Sequence, residues 1–151
     1  MSIDAKAVQD LIDEREIRDL VARYSDAVTR NDAESWAATW AEDARWDVGI
    51  AKAAGRDAIV ATWKQLMGHF RFVAQLPQTG VIELDGDRAT GSWHYLEIGW
   101  PAEGPGSLTI GHYVDGYVRS TQGWRFETRV FRILYMGPAD LSGSPVGSAS
   151  H

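Results

Sequence analysis

The 151 residues include no cysteine. Disulfides, cysteine–zinc sites, iron–sulfur clusters and thiol nucleophiles are therefore excluded. No apolar run approaches the roughly 20 residues needed to cross a bilayer. The opening MSIDAKAVQD carries no apolar signal core, so a cytoplasmic protein is expected. Positive charge is also scarce. Fifteen Lys+Arg against 21 Asp+Glu leave a formal charge of −6, the wrong sign for a face that displaces counterions from nucleic-acid phosphates. No GK[ST] phosphate loop, no GxSxG elbow and no HxH or HxxxH spacing occurs, so the sequence expects neither a nucleotide, a serine nucleophile nor a metal. What is present is an ordinary soluble balance, 44% hydrophobic and 24% charged, at the length of one domain. Seven Trp, five Tyr and four Phe are a heavy aromatic load, enough for some rings to line more than a dry core.

Periodicity divides the chain in two. Val8, Leu11, Ile12, Ile17, Leu20, Val21, Tyr24, Ala27 and Val28 recur at three- and four-residue steps, which predicts a helix from about Ala5 to Arg30 with Asp4 as cap and Asn31 as stop. Asp32 caps a second short helix through Trp36 and Trp40. Ala44–Val48 reads as a short strand, and Gly55-Arg-Asp57 opens a third helix buried through Ile59, Trp63, Leu66 and Met67. From Arg71 the period becomes two. Strands are expected over Arg71–Leu84, Arg88–Trp100, Leu108–Thr121 and Trp124–Met136, with turns at Asp85-Gly86-Asp87 and Gln122-Gly123 and a loop over Pro101–Ser107. Residues 1–136 form one domain on this reading, and the Gly-, Ser- and Pro-rich residues 137–151 form a loose tail. Three helices followed by a strand meander make a segregated α+β pattern.

The order and the residues resemble the SnoaL-like branch of the NTF2-like superfamily. The carrying pieces are Ile17-Arg-Asp-Leu20 with Tyr24, Asn31-Asp32 with Trp36, and Trp40-Ala-Glu-Asp-Ala-Arg-Trp46. They continue through Gly55-Arg-Asp-Ala-Ile59, Val81–Ala89, Gly111-His-Tyr-Val-Asp-Gly-Tyr117, Gly123-Trp-Arg-Phe126 and Arg129, over about residues 8–136. The resemblance implies a cone-shaped α+β barrel, N-terminal helices packed on a curved, mostly antiparallel sheet. A deep and mostly apolar cavity usually works there without a cofactor. Relatives include ketosteroid isomerase, scytalone dehydratase, polyketide cyclases, limonene-epoxide hydrolase and a hexachlorocyclohexane dehydrochlorinase, so the fold leaves the chemistry open. The Asp–His pair of the dehydratase and dehydrochlorinase relatives is missing: Thr29 stands for the aspartate, and Gln75, or Leu76 if the register slips, for the histidine. The isomerase base would fall at Val48, with Asp47 one residue early and facing the other way along a strand.

Catalytic candidates are therefore His94, Tyr24, Arg129, Tyr113 and Asp47. Period two groups His94 with Leu96 and Ile98, and the resemblance places the Leu96 face inside the cone. Apolar surroundings would keep such an imidazole neutral and basic, although a hydrogen-bonded core histidine fits the same pattern. Arg129 shares an apolar face with Phe131 and Ile133. It holds either a substrate oxygen, as in the dehydrochlorinase, or an ion pair with Asp115 or Glu97. Tyr24 and Tyr113 would donate to developing negative charge or simply pack. Trp46, Gln75, Leu96, Phe131, Thr29 and Trp40 are the candidate substrate contacts. A metal site from His69, His94 and Asp47 lacks the spacing, so no metal or cofactor is expected. Trp93, Tyr95, Trp124, His112 and Arg132 are expected outside, where the bulky rings would favour a homodimer or homotrimer. The function expected is a cofactor-independent lyase, dehydratase or isomerase for a small cyclic or aromatic, apolar substrate. A non-catalytic small-molecule binder and an epoxide-hydrolase-like enzyme, built on Arg129 with Asp115 and Asp47, are the alternatives.

Overall fold

A computed structural model describes residues 2–140, 142 and 143. Helix α1 runs over Ala5–Arg30, capped by Asp4, whose carboxylate accepts from the Lys6 N–H at 2.9 Å, and stopped by Asn31 in the left-handed region at φ 54°. Both ends match the sequence expectation. Only the stripe from Ile17 to Val28 is buried, together with Asp13, while Val8, Leu11 and Ile12 are left uncovered. Helix α2, Ala33–Ala37, is capped by Asp32 and buries Trp36. It stops before Trp40, which instead opens strand β1, Trp40–Asp47. A three-residue strand β2, Lys52–Ala54, precedes helix α3, Arg56–Met67. The AKAAG stretch around β2 has no alternation to betray a strand. Four long strands follow: β3 Phe70–Asp85, β4 Arg88–Pro101, β5 Ser107–Ser120 and β6 Gly123–Pro138. The last runs two residues into the expected tail; Leu141 and residues 144–151 of that tail lie outside the described residues.

The six strands form one sheet in the order β2-β1-β6-β5-β4-β3. All neighbours are antiparallel except β1 and β6, which run parallel. The sheet curves around the helices as an open cone, and the core lies between them. Its centre is aromatic: Trp36 stacks on Trp63 at 4.7 Å between centroids, and Tyr24 meets Trp36, Trp40, Tyr113 and Phe126 within 6.2 Å. A polar clamp fixes α1 to the sheet. Arg119 on β5 donates to both oxygens of Asp13 at 2.6 and 2.7 Å, and the Trp124 indole adds a third hydrogen bond. These bonds hold the buried Asp13 carboxyl down at about 2.

Trp93, Tyr95 and Trp124, expected on the outer face, are instead 4%, 1% and 2% exposed and belong to the core. The reason is register. Trp93 lies directly opposite Tyr113, and Tyr95 opposite Gly111, and residues facing each other across an antiparallel pair share a face. Gly111 is the gap that admits the Phe131 ring, because a Cβ there would sit inside it. Gly111→Ala should therefore destabilise the fold by about 1–3 kcal/mol, the usual cost of overpacking, and shift the Phe131 ring. Urea unfolding against wild type measures it, and an unchanged midpoint would contradict this packing.

Candidate active site

Between α1, α3 and the concave face of the sheet lies a cavity of about 260 Å³. Its helical wall is Tyr24 and Val28 from α1 and Trp63, Leu66 and Met67 from α3. Its floor is Trp46, Val73, Gln75, Glu97, Thr109, Tyr113 and Phe131. Ile50, Phe70, Ile133 and Met136 line it while remaining largely exposed, so they form an apolar mouth. A larger, shallower recess of about 470 Å³ lies along Arg45, Asp47, Lys52, Thr128 and Val130. Its one carboxylate, Asp47, is tied to the Lys52 ammonium at 2.9 Å. The smaller cavity gathers more of the candidate residues.

Glu97 is its distinctive group. The side chain reaches into the apolar cavity from β4, opposite Thr109 and next to Gln75 on β3. Its Oε2 accepts from Gln75 Nε2 at 2.6 Å, and no cation is paired with it among the described residues. Burial pushes the carboxyl above the ordinary glutamate value, and the Gln75 hydrogen bond only partly opposes this. Gln75 is itself held: its backbone N–H donates to Thr29 Oγ1 at 3.1 Å, while its own Oε1 is buried without a partner. Tyr113 presents its phenol on the same floor. Burial first, then Tyr24 and Glu97, raise it well above 10, so it stays a donor; Tyr24 is pushed by burial up to about 12.

Arg129 lies behind these phenols rather than in the cavity. It is fully buried, donating from Nε to Asp115 Oδ1 and from NH2 to Tyr95 Oη, both at 3.0 Å. The guanidinium carbon lies 3.8 Å from the Tyr113 ring centre, 4.1 Å from Tyr24 and 4.3 Å from Phe126, a cation held by aromatic faces. Tyr117 donates to the other Asp115 oxygen at 2.9 Å, and Trp93 donates to Tyr117. Burial drives the Asp115 carboxyl up to about 6 even against Arg129. Burial also opposes the charge on Arg129, yet Asp115 and the surrounding tyrosines outweigh it, and the guanidinium stays charged. Of the two readings of Arg129 open in the sequence, the Asp115 ion pair is the one formed. Any influence on a ligand passes through Tyr24 and Tyr113.

Of the sequence candidates, Tyr24, Trp46, Gln75, Tyr113 and Phe131 come together around the cavity. Thr29 lies behind Gln75, and Trp40 is fully buried among Tyr24, Trp36, Trp46 and Phe126. Three more lie outside the cavity. His94 points outward, exposed, its ring stacked on His112 at 4.8 Å. Leu96 points the same way, opposite Leu76 and Ile110 and outside the cavity lining. Asp47 turns away from the cavity, holding the Gly49 N–H at 2.9 Å and Lys52, and both lower its carboxyl. Val48 lines the cavity instead. Asp47 is therefore not assembled with Arg129 and Asp115 as an epoxide-hydrolase cluster requires. Burial, with His94 and Arg132 nearby, lowers His112. The residue that sequence reasoning overlooked is Glu97, and the signal was available. The loop Pro101–Ser107 has an odd number of residues, so β4 and β5 residues of like parity face each other. With Tyr113 inside, Glu97 must be inside and His94 outside.

The sequence model of the SnoaL-like domain matches residues 9–130. The chain belongs to the SnoaL-like family. Solved structures with the same fold include a type 2 hexachlorocyclohexane dehydrochlorinase (TM-score 0.86, 22% identity, 93% of this chain and 99% of that one). A provisionally assigned scytalone dehydratase from Novosphingobium aromaticivorans DSM 12444 gives a TM-score of 0.82 at 24% identity, over 95% of this chain and 99% of its own. An NTF2-like protein with a cystatin-like fold, also from Novosphingobium aromaticivorans, gives 0.70 at 29% identity over 86% and 87%. No curated protein matches the sequence. Among the described residues of this SnoaL-like chain, no group of three or more His, Cys, Asp or Glu side chains could hold a metal ion, and no helix is long and apolar enough to cross a membrane.

Proposed function

We propose that this SnoaL-like protein is a cofactor-independent lyase, dehydratase or isomerase that moves a proton on a small cyclic or aromatic, largely apolar substrate. The observation that carries this reading is Glu97, a carboxyl inside an apolar cavity with an amide and no cation for a partner. A carboxyl whose affinity for a proton is raised by burial can both take one from carbon and give it back. In the proposed cycle Glu97 Oε1 accepts a proton from the carbon next to a carbonyl, and the substrate electrons move to the carbonyl oxygen. The Tyr113 hydroxyl, with Tyr24 beside it, donates to that oxygen. Glu97 then returns the proton, to another carbon in an isomerisation or to a leaving oxygen in an elimination. Dehydrochlorinase and dehydratase, the names of two solved relatives, both denote eliminations.

The test is hydrogen–deuterium exchange at the α-carbons of a cyclic ketone such as cyclohexanone, followed by NMR. Wild type should exchange faster than buffer, and a rate equal to buffer would contradict the reading. The cavity contains no histidine among its described residues and has Gln75 where catalytic relatives carry one, which favours a second reading: a protein that holds an aromatic ligand without turning it over. Tight binding with no exchange would select it.

The outer face supports self-association. Leu76, Ile110 and Val114 are exposed there, so a second copy would bury apolar surface. The expected species is a dimer or trimer of the 16.7 kDa chain. Light scattering that returned a monomer at micromolar concentration would contradict it.

A further inference from the structure

The cavity's polar groups are unevenly matched. At the Gln75 end the side-chain donor, Gln75 Nε2, is already spent on Glu97 Oε2 at 2.6 Å. Gln75 Oε1 is buried and unpartnered, a state that costs free energy until a donor arrives. The Gln75 backbone N–H is spent on Thr29 Oγ1, and the unpartnered donor of the lining, the Trp46 indole N–H, makes no bond to the Gln75 oxygen. Positive charge is also missing from the lining. Arg129, the one buried cation among the described residues, is neutralised by Asp115 and enclosed by Tyr24, Tyr113 and Phe126.

We infer that the cavity selects uncharged ring compounds that carry an O–H or N–H donor, seats that donor on the Gln75 carboxamide oxygen beside Glu97, and rejects carboxylates. The inference rests on the cavity being the working site, as proposed above. A carboxylate would bring acceptors to an end that already has too many, next to Glu97, with no cation to offset its desolvation. A hydroxyl supplies the missing donor, and the apolar walls from Trp46, Trp63 and Phe131 take the ring. This makes Gln75 a specificity residue that also positions Glu97. It is the reverse of the preference suggested by an inward arginine.

The test is a binding series with three probes of nearly one size, phenol, toluene and benzoate, read by quenching of Trp46 and Trp63 or by calorimetry at neutral pH. Phenol should bind about tenfold more tightly than toluene, the worth of one hydrogen bond to an otherwise unpaired buried acceptor, and benzoate more weakly than either. Gln75→Leu should abolish the phenol preference while toluene binding is kept. Benzoate binding as tightly as phenol, or toluene equal to phenol, would overturn the inference in wild type alone, whether or not Gln75→Leu folds. Persistence of the phenol preference in a folded Gln75→Leu would overturn the assignment to Gln75. None of these outcomes depends on turnover, so the proton-transfer reading stands or falls separately.

Discussion

Glu97→Gln should lower turnover, or ketone exchange, by about 10²–10⁴-fold, the range of a single acid–base group, while leaving the cavity intact. The substitution keeps the volume and one oxygen that can accept from Gln75, and removes the titration. It should also change stability with a definite sign. The folded carboxyl binds its proton more tightly than the unfolded one, so its contribution is fully present below the ordinary glutamate value of about 4.3 and is lost as pH rises through the raised folded value. Wild type should therefore lose more stability across that window than Glu97→Gln, in which the raised Asp115 carboxyl still contributes. His94→Ala is the control: an exposed ring stacked on His112 should leave turnover unchanged. Activity retained in Glu97→Gln and lost in His94→Ala would reverse the assignment.

Arg129→Met should be the most destabilising of the single changes, by about 3–5 kcal/mol. Removing one partner of a buried pair leaves the other charge stranded. Here Asp115 would keep only Tyr117, Tyr95 would lose its donor, and the faces of Tyr24, Tyr113 and Phe126 would lose their cation. The double variant Arg129→Met with Asp115→Asn should recover part of the loss, because the stranded charge goes with it. Urea unfolding of both variants measures this, and a loss below about 1 kcal/mol in the single variant would contradict a structural role for the pair.

Much of the fold was legible because local signals agreed. Asp4, Asn31 and Asp32 punctuate helices where the sequence placed them, and Gly86 and Gly123 mark the hairpin turns at φ 60° and 94°. Strand β2 was not legible, since Lys52-Ala53-Ala54 offers neither alternation nor bulk. Part of the cavity lining was legible too: Tyr24, Trp46, Gln75, Tyr113 and Phe131 do line one cavity. The rest failed on one parity. His94 beside Leu96 and Ile98 looks like an inward face by hydrophobicity alone, and Trp93-x-Tyr95-x-Glu97 looks outward because it ends in a charge. Cross-strand pairing decides otherwise: His94 faces His112 and Trp93 faces Tyr113, so His94 and Tyr113 cannot both be inside. Trp93 and Tyr95 go into the core, and Glu97 shares their face. Arg129 was placed correctly but its partner could not be chosen, because selecting Asp115 over Glu97 needs the β5–β6 register that sets Asp115 opposite Arg129.

The central claim is that one glutamate, inside the cavity, holds its proton beyond the ordinary range. Carbon-13 NMR of the glutamate side-chain carboxyls, titrated in wild type and in Glu97→Gln, tests it without any substrate. One resonance should titrate above the others in wild type and be missing from the variant. If every glutamate titrates in the ordinary range, or the displaced resonance survives in Glu97→Gln, Glu97 is not the acid–base group of this cavity.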